Sequence, residues 1–295
     1  MADIRFTVLV EDTTDRADVA AEHGLSIWIE TGDRRILFDT GQSDMLLRNA
    51  GTLGIDLRTA DAVVLSHGHY DHVGGLEAVW GTTPAAPVYL HPDALAMKFG
   101  CNGQRSRSIG MEPTATEMLK QRIESGLGSY TSGPAEILPG VWVTGEVPRR
   151  WVLEDTGGPF YADAECHRPD PLLDDQALVL EAGDGLVVLL GCAHAGVINT
   201  LDYVCELFPD RRIHTVAGGM HLLQASRSRL AQTIERIQRY GIERIGPAHC
   251  TGGEATEALR HAMPRQWFAC RTGTQVSFRQ RARPRDGNDG RQTRI

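Results

Sequence analysis

The chain has 295 residues, 41% of them hydrophobic, enough apolar mass for one large α/β domain or two small ones, which excludes disorder as the default state. A formal net charge of −8 speaks against a general nucleic-acid binder, and no run approaches the roughly 20 apolar residues of a membrane span. A small-molecule substrate is therefore expected, with neither nucleic acid nor membrane as partner. If that substrate is anionic, it needs local positive charge, which bound metal ions can supply inside an acidic protein.

The first ten residues lack the basic start, apolar stretch and cleavage site of a secretory signal. That points to a cytoplasmic protein whose six separated cysteines, Cys101, Cys166, Cys192, Cys205, Cys250 and Cys270, stay reduced rather than forming a disulfide framework.

In chain order, apolar β-branched runs at residues 4–10, 25–30 and 35–38 predict an opening β-meander, with Thr31-Gly32-Asp33 as turn chemistry. A helix is expected over 44–50, a buried strand over 62–65, a helix over 75–80 and a strand over 87–91. Residues 100–135 lack a sustained period apart from a helix near 116–124, and predict an insertion or lid. Strands follow at 141–144, 177–181 and 186–190, a helix at 200–208, a strand at 212–217, a helix at 226–240, a strand at 244–247 and a helix at 254–263. The alternation favours a layered α/β fold spanning 1–278. Residues 279–295 hold six arginines and almost nothing apolar, the composition of a disordered tail.

The decisive segment is Ser66-His67-Gly68-His69-Tyr70-Asp71-His72-Val73-Gly74-Gly75, which places three imidazoles and a carboxylate within six positions between a strand and a helix. Imidazole suits zinc, iron or nickel, and a carboxylate beside it allows a second metal close by. A run of merely surface histidines would need neither the buried strand before it nor the flanking glycines. Two further segments put a histidine at a strand exit: Gly191-Cys192-Ala193-His194-Ala195-Gly196 and Gly246-Pro247-Ala248-His249-Cys250-Thr251-Gly252.

The loop resembles the His-x-His-x-Asp-His signature of the metallo-β-lactamase superfamily, and Phe38-Asp39-Thr40-Gly41 resembles that family's first motif. The resemblance implies an αββα sandwich of two mixed sheets with helices outside, and a site for two divalent metal ions, zinc first, with manganese, iron or nickel as alternatives. It assigns His67, His69 and His194 to one ion and Asp71, His72 and His249 to the other, with Asp39 supporting the loop from behind. Where the family has a bridging aspartate this chain has Cys192, which contributes a thiolate, leaves the bridge to water, or fills space as a small apolar residue. The order GLSIWIE, ILFDTGQSD, LSHGHYDHVGGL, TGEVPR, GCAHAGVINT, GGMHL and PAHCTG is similar to one branch, containing the archaeal dihydropterin–ribofuranosylaminobenzene phosphate synthases and bacterial metal-dependent hydrolases.

His221 is then a metal ligand, a catalytic or substrate contact, or a strand-end histidine bonded to backbone. Glu146 and Arg149 are a carboxylate near the metals and an anion clamp, or else an exposed salt bridge. His23, His91, His167, His214 and His261 are assigned structural places. The expected activity is hydrolysis of a small anionic substrate, since two close cations bring a bound water's pKa toward neutrality and polarise a carbonyl or phosphoryl oxygen. A pterin-type transferase that displaces pyrophosphate is the alternative, and a non-catalytic metal or ligand sensor a third. A di-iron oxygen-reducing enzyme would need the bridging carboxylate and a flavin domain.

Overall fold

The computed structural model describes residues 3–103 and 105–279. Two sheets face each other, and the alternation of their side chains is the cause. In the strand Ser26–Thr31, Ile27 and Ile29 point one way and Trp28 the other; in Arg34–Phe38, Ile36 and Phe38 oppose Leu37. In Leu178–Ala182 and Gly185–Leu190, Leu178, Leu180, Val187 and Leu189 likewise oppose Val179, Leu186, Val188 and Leu190. The inner sets of both sheets pack into one apolar core, as a period of two requires when both faces are covered.

The first sheet has seven strands, in the order Gln275–Arg279, Asp3–Val10, Ser26–Thr31, Arg34–Phe38, Ala62–Val64, Val88–Leu90 and Gly128–Tyr130. The second has six: Arg244–Ala248, Ile213–Gly219, Gly185–Leu190, Leu178–Ala182, Val141–Val143 and Ala135–Leu138. Both are mixed. The helices Met45–Thr52, Leu76–Thr82 and Pro113–Glu124 cover the outside of the first sheet, and Val197–Leu207, Arg227–Arg239 and Gly253–Ala262 the outside of the second. This is the expected αββα sandwich.

Functional positions gather where parallel strands end. Arg34–Phe38 and Ala62–Val64 run parallel in the first sheet, and Gly185–Leu190, Ile213–Gly219 and Arg244–Ala248 in the second. Their exits deliver Asp39, His67, Cys192, His221 and His249 to one edge, the carboxyl-end crevice where ligands collect in open α/β sheets. Asp39, Ala193, His221 and His249 all have positive φ, between 43° and 57°, a cost that L-residues bear where the side-chain direction matters.

The stretch expected to be an irregular insertion is more ordered. Phe99–Asn102 and Arg105–Ser108 pair antiparallel and, with Phe160–Tyr161, form a three-stranded sheet beside the crevice; Gly128–Tyr130 joins the edge of the first large sheet. The short exposed strands there bury too few side chains to leave a clear alternation.

Two expectations are corrected. Cys101 and Cys166, 65 positions apart, form a disulfide, so not all six cysteines are free; pairing of Phe160 with Gly100 brings the two segments together. Cys192, Cys205, Cys250 and Cys270 are free. Arg279, assigned to the tail, closes the edge strand Gln275–Arg279, while residues 280–295 lie outside the described residues. Among the described residues no helix is long and apolar enough to cross a membrane.

Candidate metal centre

The histidine loop leaves the strand Ala62–Val64 and enters the one-turn helix Tyr70–Val73, which carries Asp71 and His72. Gly68 passes so close to the Ala94 carbonyl that any β-carbon would collide with it, and its N–H donates to Asp174 Oδ2 at 2.8 Å. The buried Lys98 holds that carboxylate at 2.8 Å. Burial opposes the charge on Asp174, but Lys98 and the bonds it receives win and hold its carboxyl below the usual range.

A first group of donors converges inside this frame. His67 Nε2 lies 3.0 Å from His69 Nδ1, and His194 Nε2 lies 3.2 Å from the same atom. Zinc–nitrogen bonds of about 2 Å at tetrahedral angles put ligand nitrogens roughly 3.3 Å apart, so the spacing fits one shared ion. The opposite nitrogens are held: His67 Nδ1 at 2.9 Å from Ser66 Oγ, and His194 Nδ1 at 2.8 Å from the Thr156 carbonyl, which it donates to. That bond fixes the tautomer and turns the Nε2 lone pair of His194 inward. Burial, reinforced by repulsion from neighbouring histidines, His72 for His67 and His221 for His194, pushes the pKa values of those two well down; burial dominates at His69 and takes it to about 3. Neutral imidazoles are the metal-binding form.

The second group is His72 Nε2, His249 Nε2 and Asp71 Oδ2, with 3.2 Å between the two nitrogens and 3.2 and 3.8 Å from the carboxylate to His249 and His72. Here the supports are carboxylates: His72 Nδ1 to Asp39 Oδ2 at 2.7 Å and His249 Nδ1 to Asp12 Oδ1 at 2.7 Å. Asp39 also accepts from the Ser66 N–H and hydroxyl, both at 2.7 Å, so one buried carboxylate braces both groups. Although burial opposes it, bonds to Asp12 and Asp71 raise the pKa of His249 well above its ordinary value. Cys192 Sγ stands 3.2 Å from His72 Nε2 and within 4.8 Å of donors in both groups, the place of a shared ligand. Burial pushes its thiol well up.

Both groups open on one cavity of about 560 Å³. Its wall includes His23, Arg107, Ile109, Phe160, His221 and Trp267. His221 packs with its ring centroid 4.3 Å from that of His194 and 5.8 Å from that of Phe160.

Two expected site residues lie elsewhere. Arg149 spends its guanidinium on the carbonyls of His194, Pro171 and Leu172, so it clamps the loop that carries His194 and does not line the cavity. Glu146 is exposed and is also absent from the wall. Conversely, His23, expected to be structural, bonds Asp12 at 3.0 Å and reaches Asp71 Oδ2 at 3.3 Å. No local sequence pattern marks Asp12, Asp175 or Arg107 either. Asp175 accepts the Ala195 N–H at 2.9 Å, and burial lifts its carboxyl to about 6. Arg107 stacks 4.8 Å over the Tyr70 ring at the cavity rim.

Comparisons with known proteins identify the family. The profile of the Metallo-beta-lactamase superfamily matches residues 20–249. The 7,8-dihydropterin-6-methyl-4-(beta-D-ribofuranosyl)-aminobenzene-5'-phosphate synthase of Methanocaldococcus jannaschii is 26% identical over 270 residues, 88% of this chain and 90% of that protein. An uncharacterized protein of the same archaeon is 31% identical over 252 residues, 85% of this chain and 92% of its own. A solved structure described as a metal-dependent hydrolase of the beta-lactamase superfamily matches at 30% identity with a TM-score of 0.79, over 92% of this chain and 98% of that one.

Proposed function

The chain belongs to the metallo-β-lactamase superfamily, and from that premise we propose that it is a metal-dependent hydrolase of a small anionic substrate, using two divalent metal ions, zinc foremost. The observation that carries the reading is the convergence of two donor triads beside one cavity, whose volume of about 560 Å³ suits a single small molecule. His67, His69 and His194 would hold one ion, Asp71, His72 and His249 the other, with Cys192 between them.

When bound, such a pair of ions supplies positive charge that polarises a carbonyl or phosphoryl oxygen and brings the pKa of water toward neutrality. The chain's own residues do the rest. Asp39, Ser66 and Asp12 fix ring orientation, so that little reorganisation is left for the reaction itself. Asp71 lines the cavity, where its carboxylate can accept the proton of an attacking water. Phe160, Ile109 and Trp267 give the wall an apolar side, and Arg107 offers a fork of donors to the substrate's anionic end. Arg107→Ala is expected to raise KM about tenfold with kcat little changed, the mark of lost uniform binding.

The 26% identity with the synthase supports a second reading, a pterin-type transferase in which the same donors hold a pyrophosphate leaving group while a second substrate displaces it. The test is to strip the protein of metal, reload it with zinc, and offer phosphodiesters, lactones and thioesters one at a time. Turnover of one of them, abolished by chelation and restored by zinc, supports hydrolysis. Pyrophosphate release only when a dihydropterin pyrophosphate and an aminobenzene riboside phosphate are both present would replace it with transfer, and zinc binding without turnover of any substrate would leave a sensor.

A further inference from the structure

We propose that Cys192, His221 and Cys250 form a third metal-binding position, sulfur-rich, that takes a thiophilic divalent ion such as cadmium or zinc. One ligand atom from each residue lies within 4.8 Å of those of the other two. Cys192 is shared with the two triads already described, whereas His221 and Cys250 belong to neither.

The second observation is the state of the His221 ring. Both of its nitrogens are shielded from water, and the group set against the ring is the Cys250 thiol. A buried imidazole whose facing group is a thiol, with no carboxylate or carbonyl holding either nitrogen, presents the donor pair that a thiophilic ion takes. His221 is held there at a φ of 43°, just beyond the strand Ile213–Gly219. Cys250 follows His249 on the next strand exit; its thiol lies 3.6 Å from the Cys192 carbonyl, and the two sulfurs lie within 4.8 Å of each other. All three residues line the cavity, so an ion here would keep an open position toward it.

Two thiolates and an imidazole select soft or borderline ions over manganese or magnesium, unlike the nitrogen and oxygen donors of the neighbouring triads. The consequence is a chain that discriminates among metals at its active site. A thiophilic ion seated on this position draws Cys192 away from the other two.

The test is titration of metal-free protein with cadmium, reading thiolate-to-metal charge-transfer absorption together with bound metal. Wild type is expected to give the signal of two thiolates. Cys250→Ser should halve it, and His221→Ala should keep both thiolates but weaken cadmium binding at least about tenfold. Cys205→Ser, on the helix Val197–Leu207, should change nothing. The signal should survive in the His67→Ala/His69→Ala protein, which separates this position from the two-ion reading. A full signal in Cys250→Ser, or unchanged affinity in His221→Ala, would overturn the assignment. Circular dichroism of each variant checks that the fold is kept.

Discussion

The two donor triads share a loop and a brace at Asp39, yet they are built differently. His67 and His194 lean on neutral partners, a serine hydroxyl and a backbone carbonyl; of the carboxyl groups behind this triad, Asp175 and Glu154 are pushed up by burial to about 6 and about 7, while Lys98 holds Asp174 down. His72 and His249 lean on carboxylates, and histidine bonds hold Asp12 and Asp71 below their ordinary range against the pull of burial. A histidine that donates to a carboxylate is a more basic ligand than one that donates to a carbonyl. The lesson is that two adjacent ions need not be held alike: the carboxylate-backed triad should grip its ion harder, and a chelator should empty the His67–His69–His194 triad first.

The largest effects come from removing ligands. His67→Ala/His69→Ala should lose one metal equivalent and His72→Ala/His249→Ala the other, each with activity down by more than about a hundredfold, since losing a supporting group alone costs ten- to a hundredfold. Elemental analysis of both proteins checks this, and full occupancy in either would break the comparison. Smaller effects should follow from the braces. Asp12→Asn should weaken metal binding about tenfold at the second triad only, while Asp39→Asn, which touches His72 directly and His67 through Ser66, should weaken both; competition with a chromophoric chelator reads the constants.

An effect on stability, and not on metal binding, concerns the scaffold behind the first triad. Glu154 accepts the N–H groups of Ile198 and Asn199 at 2.9 and 2.8 Å, at the start of the helix that follows His194. Burial raises its carboxyl from 4.5 to about 7, so the folded state keeps a proton that the unfolded chain gives up at lower pH. The stability this group contributes is complete below about pH 4.5 and is lost as pH rises through 7. Glu154→Gln, which cannot ionise, should therefore gain on wild type between pH 4.5 and 8, by at most on the order of 3 kcal/mol in the metal-free protein. Thermal unfolding across that range reads it, and a pH-independent difference would place the titration elsewhere.

Much of this was legible in the sequence because periodicity and motif carry it. Ile27, Trp28 and Ile29 announce a strand covered on both sides, and the spacing of His67, His69, Asp71 and His72 announces donors aimed at one place. What stayed hidden depends on contacts between distant segments. Asp12 reaches His249 only because the opening strand lies beside the site, and no local pattern marks it or His23. Arg149 and Arg107 are chemically alike in sequence, but Arg149 meets the carbonyls of Pro171 and Leu172 while Arg107 stacks on the Tyr70 ring. Cys101 and Cys166 likewise meet through the pairing of short strands, which composition does not foretell.

The most direct test of the central claim is turnover in water labelled with heavy oxygen, using zinc-loaded protein and whichever single substrate it cleaves. Hydrolysis predicts one labelled oxygen in the product for each turnover, lost in parallel with activity when His67 and His69 are replaced by alanine. Product that forms only with a second organic substrate present, and carries no label, would contradict the account.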